Sequence, residues 1–114
     1  MTERRRYPRT ARVNEALREI VADELERIGD ERLELATVTG VQTEPDLRHA
    51  VVWLASLPDT AEQALAEHRV RLQAAIATQM RMKRTPELAF RADPAVATGQ
   101  RVEDILRGLS KDKE

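Results

Sequence analysis

The chain has 114 residues, no cysteine and a formal net charge of −1. One ordinary domain fits that length, and the absence of cysteine excludes disulfides, thiolate zinc sites and cysteine nucleophiles. With 41 % hydrophobic and 34 % charged residues and no apolar run long enough for a bilayer, the composition is that of a folded domain, neither disordered nor membrane-spanning.

Residues 1–8 are basic, contain Pro8 and read as a loose arm without the apolar stretch of a secretory signal. Val13, Ala16, Leu17, Ile20, Val21, Leu25 and Ile28 then recur at helical spacing. Thr10 is placed as the N-cap of this helix, and Gly29 is placed to end it in the left-handed conformation. From Leu35 to Thr43 the period changes to two, with Leu35, Thr37, Thr39 and Val41 alternating against Ala36, Val38, Gly40 and Gln42, which predicts a strand. Glu44-Pro45-Asp46 is a turn, because Pro fixes one dihedral and Asp bonds its own backbone. His49 to Leu57 is a second strand, antiparallel to the first across this short gap.

Pro58-Asp59 breaks the chain, and Thr60-Ala61-Glu62-Gln63 matches a capping box. The helical stretch that follows runs to about Lys83, as one helix or two, until Thr85-Pro86. Glu87 to Arg91 predicts a third strand with Leu88 and Phe90 on one face. Residues 94–114 read as a tail with a short amphipathic stripe of Val102, Ile105, Leu106 and Leu109. The expectation is one α+β domain over 9–93, a three-stranded sheet with helices on one face, in the order α-β-β-α-(α)-β.

Charge is unevenly distributed. Residues 1–18 carry six Arg against Glu3 and Glu15, while residues 19–67 carry twelve acidic and three basic groups. Residues 68–91 are basic again, with Arg69, Arg71, Arg81, Lys83, Arg84 and Arg91 against Glu87. Such blocks suggest one face for a polyanion and another for a protein or for water. The candidate phosphate-binding residues are Arg4, Arg5, Arg6, Arg9, Arg12, Arg69, Arg71, Arg81, Lys83 and Arg84. The cluster at 81–84 is expected at a helix C-terminus, where cations also offset the macrodipole.

No pattern for catalysis, metal or cofactor binding is found. The glycines are not spaced to cradle a phosphate, and no zincin or serine-elbow motif occurs. His49 and His68 have no ligand partner at useful spacing and read as surface or edge histidines. Met80 reads as core and Met82 as partly exposed, while Trp53 reads as core or edge packing. Tyr7 in the basic arm gives only a weak stacking signal.

Three ordered motifs resemble the ribosome-binding factor A family. They are Arg9-Thr10-Ala11-Arg12-Val13 opening the first helix, Asp46-Leu47-Arg48-His49-Ala50-Val51-Val52-Trp53 entering the second strand, and Met80 to Asp93. The last, with its basic run and Pro86-Glu87-Leu88-Ala89-Phe90, is the most specific. The resemblance implies a type II KH-like domain and no catalysis. It also implies association with the small (30S) ribosomal subunit and its 16S rRNA, in late maturation and rRNA processing, and in cold adaptation. A cytoplasmic monomer is the accompanying expectation. The family's Ala-x-Gly kink falls near His68-Arg69-Val70, which holds neither residue, so the kink is expected to be absent or made differently. Without Gly-x-x-Gly, recognition is expected to rest on charge and shape rather than on a clamped single strand. Two other readings compete: a protein-interaction module using the acidic 19–67 segment, and an enzyme on an α+β scaffold.

Overall fold

The computed structural model describes residues 9–96. Helix α1 spans Arg9–Ile28. Its inward face carries Leu17, Ile20, Val21 and Leu25, the periodic residues of the sequence. Thr10, expected as the cap, lies inside the helix, which already includes Arg9. Gly29 ends it with φ +64° and donates its N–H to the Leu25 carbonyl at 3.2 Å. That conformation crowds a Cβ, so glycine is favoured there.

A single 3₁₀ turn follows at Glu31–Leu33, capped by the Asp30 side chain, which accepts from the Arg32 N–H at 2.9 Å. Asp30 also accepts from the Arg32 guanidinium at 2.7 Å, and lies 3.0 Å from His68 Nε2. The guanidinium, then His68, then the backbone N–H hold this carboxyl far below the ordinary carboxylate range. A depressed folded pKa means stabilisation that is present above the unfolded value and lost as pH falls through the folded one. Asp30→Asn is therefore expected to lower Tm by several degrees at neutral pH. In thermal melts the gap should close as pH drops below about 4. An unchanged gap at acid pH would show that the carboxylate's charge contributes nothing.

Strand β1 spans Val38–Thr43 and β2 spans His49–Leu54, paired antiparallel. The strict alternation expected of β1 does not hold. Val38 faces Leu54 and Gly40 faces Trp53, so Thr39 is an extra residue, a bulge. The inward set therefore passes from Ala36 and Val38 to Val41 and Thr43. Leu35, expected at the strand's start, lies in a turn instead and is 77 % exposed. At the strand's other end, Thr43 donates its hydroxyl and its N–H to Asn14 Oδ1 at 2.8 and 2.9 Å, tying β1 to α1. The second strand stops at Leu54, short of the expected Leu57.

Helix α2 runs unbroken over Asp59–Gln79, through His68-Arg69-Val70, as one element. Its cap is Pro58, and no capping-box bond forms, because Thr60 lies inside the first turn. Asp59 and Glu62 there favour the positive end of the helix dipole. The helix also ends earlier than Lys83. Met80 is extended at φ −120°, ψ 141°. Met80 and Met82 both pack on the core. Two residues apart, they can share a side only in an extended chain, not in a helix.

Strand β3, Glu87–Ala92, pairs parallel with β2, so the sheet order is β1-β2-β3. A parallel pair needs a crossover, and α2 supplies it. Leu17, Val21, Val52, Leu54, Leu65, Leu72 and Ile76 are sealed at 0 % exposure between helices and sheet. Trp53 lies on the sheet's other face, half-buried, rather than in this core.

Candidate nucleic-acid interface

α1 and α2 are antiparallel neighbours: Asp30 meets His68 and Glu24 meets Arg71. The start of α1 therefore lies level with the chain that follows α2. The β1–β2 turn reaches the same end. There the Leu47 N–H donates to the Glu44 carbonyl at 2.8 Å, and the Arg48 N–H donates to Asp46 Oδ1 at 2.9 Å. The Asp turn chemistry read from the sequence is thus realised. Leu47 sits at φ 60°, a left-handed conformation that a branched side chain adopts at a cost of about 1–3 kcal/mol. The Glu87 N–H donates to the Arg48 carbonyl at 2.8 Å, which pins the entry of β3 against this turn.

These three segments enclose a cleft of about 490 Å³. Its floor is apolar, from Val13, Leu47, Met80 and Met82. Its rim carries Arg9, Arg48, Arg81, Lys83 and Arg84 against one acid, Asp46. All five cations are exposed, and none forms an ion pair among the described residues. Four other arginines behave differently, whereas Arg12 and Arg69 on the helices also form no ion pair among the described residues. Arg18 holds Glu15, Arg27 and Arg71 hold Glu24, and Arg32 holds Asp30 and Glu67. Unpaired guanidinium and ammonium groups around a concave surface concentrate positive potential and suit phosphate oxygens.

The structure thus brings together Arg9, Arg81, Lys83 and Arg84 from the sequence candidates. Arg81, Lys83 and Arg84 follow the helix rather than cap it, since no basic residue lies in the last turn of α2. The macrodipole therefore does not account for the cluster. Arg12 is exposed on the first turns of α1, outside the cleft lining. Arg69 lies exposed in the middle of α2, away from the cleft. Arg71 Nε donates to Glu24 Oε2 at 2.8 Å, and Glu24 is 8 % exposed. Its first duty is therefore to neutralise a buried carboxylate. Arg4, Arg5 and Arg6 lie outside the described residues.

Sequence reasoning missed Arg48. The available signal was topological: a hairpin turn and the entry to a strand parallel to β2 must share one end of the sheet. The same turn brings Glu44, Asp46 and His49 within 4.8 Å of one another, which sequence spacing had not suggested for His49. All three are exposed and solvated.

A family model described as ribosome-binding factor A matches residues 9–106. Ribosome-binding factor A of Rubrobacter xylanophilus is 42 % identical over 107 residues, covering 90 % of this chain and 88 % of that one. The crystal structure of ribosome-binding factor A from Thermus thermophilus is 32 % identical with a TM-score of 0.69. The match covers 75 % of this chain and 97 % of that one. A homology model of the Thermus thermophilus factor, fitted into a cryo-EM map of a 30S complex, is 33 % identical with a TM-score of 0.60. Here 70 % of this chain and 90 % of that one are covered. The ordered motifs, the α+β fold and these matches agree: this chain belongs to the ribosome-binding factor A family.

Proposed function

We propose that this protein associates with the small ribosomal subunit and contacts its 16S rRNA, assisting late maturation and rRNA processing without catalysing a reaction. The observation that carries the reading is the cleft whose five rim cations are unpaired among the described residues. A relative fitted into a 30S complex supports the partner. Arg9, Arg48, Arg81, Lys83 and Arg84 contact phosphates, joined by Arg12 and by Arg4, Arg5 and Arg6 of the arm. Arg69 adds long-range attraction, and Arg71 serves the fold. In this reading residues 9–93 form the binding domain, with the arm at 1–8 and the tail at 94–114. The protein acts as a cytoplasmic monomer, with its role most exposed in the cold.

Recognition by charge and shape has a defined signature. Affinity falls with a log–log salt slope of about −0.7 to −0.9 per phosphate neutralised. Co-sedimentation of the purified protein with separated subunits across a salt series reads this directly. The expected result is binding to the small subunit alone, weakening steeply with salt. No binding to either subunit at low salt would overturn the reading.

A further inference from the structure

A second cleft, of about 530 Å³, lies at the other end of α1. One flank of the helix, the bend at Gly29–Glu34 and the residues leading into β1 enclose it. The core thins along its floor. Leu25, Leu33, Ala36 and Val38 keep 7–9 % exposure, where Leu17, Val21, Leu54 and Leu72 keep none. Its rim is acidic. Glu26, Glu31 and Glu34 are exposed and form no ion pair among the described residues. The one cation of the lining, Arg18, is held by Glu15. Leu35, the most exposed large apolar side chain among the described residues, follows Glu34 directly.

A phosphate backbone would meet three unpaired carboxylates here and one cation already held by Glu15. A protein segment of opposite charge would meet three free carboxylates and an apolar floor, the core-and-rim arrangement of a docking site. We propose that this cleft docks a lysine- and arginine-rich protein segment, with an aliphatic side chain seated on Leu25, Leu33, Ala36 and Val38. On α1 one lining takes Arg9 and Val13 and the other Arg18, Ala22, Leu25 and Glu26, so the two clefts share no residue and their centres lie roughly 18 Å apart along the helix at 1.5 Å per residue. Both can therefore be filled at once, and the domain can bridge RNA on one side to a basic protein on the other. This role is independent of whether the RNA lies on the small subunit.

The test is an NMR titration of the isotope-labelled full chain with the amidated peptide KRLKKLRKLKRL, and with a control in which every leucine is serine. Shifts are expected in the amides of 26–38 and not in those of 81–85. Glu26→Gln/Glu31→Gln/Glu34→Gln is expected to weaken the leucine peptide about tenfold or more, as is the serine control. These three side chains are exposed, so the variant should keep its fold, and circular dichroism checks that. Shifts spread equally over Asp59, Glu62 and Glu67 would overturn the proposal. So would a variant that binds as well as the parent, or a serine peptide that binds as well as the leucine one.

Discussion

Arg81→Glu/Lys83→Glu/Arg84→Glu is expected to weaken small-subunit association by about 100-fold or more at low salt, and to flatten the salt dependence. Each phosphate contact removed takes about one unit from the log–log slope, so three lost contacts shift it by roughly two to three. Reversal exceeds neutralisation because the new carboxylates repel the phosphates they face. The fold should survive. All three side chains are exposed, and the segment is anchored instead by Met80 and Met82 on the core and by the bond from Glu87 to the Arg48 carbonyl. Arg91→Glu is the single-reversal control, read against Arg84→Glu alone. It reverses the same kind of charge on β3, outside the cleft lining, and is expected to change affinity by no more than about threefold. If Arg91→Glu and Arg84→Glu alone lose binding equally, the attraction comes from overall charge and the cleft is not the site.

Leu72→Ala is expected to destabilise the domain by about 2–5 kcal/mol, through lost burial and the cavity left behind. Leu72 is sealed at 0 % exposure, with Leu65 and Ile76 on the same stripe of α2. Against a typical total of about 5–15 kcal/mol, that is a large share. Urea denaturation should show a lower midpoint at an unchanged slope. Two residues away, Val70 is 74 % exposed, and Val70→Ser should stay within about 0.5 kcal/mol. A comparable loss at both positions would mean that the outer face of α2 is covered in solution.

Much of this architecture is legible from local chemistry. The period of Leu17, Ile20, Val21 and Leu25, the stop at Gly29, the turn at Glu44-Pro45-Asp46 and the third strand at Glu87 all depend on neighbours within a few residues. The fold class and the basic run at 81–84 follow from them. Other features depend on partners distant in sequence, which no local pattern encodes. The bulge at Thr39 is set by the register against β2, and it reverses which residues of β1 face the core. The end of α2 at Gln79 is set by the core under Met80 and Met82, and it moves Arg81, Lys83 and Arg84 from a helix end to the rim of a cleft. The sequence by itself determined which residues are cations and which elements carry them. Only the tertiary structure decided which cations are free: it set Arg71 against Glu24, 47 positions away, and brought Arg48 beside Arg81. A charge becomes available for binding when folding leaves it without a nearby opposite charge, and that depends on contacts between segments.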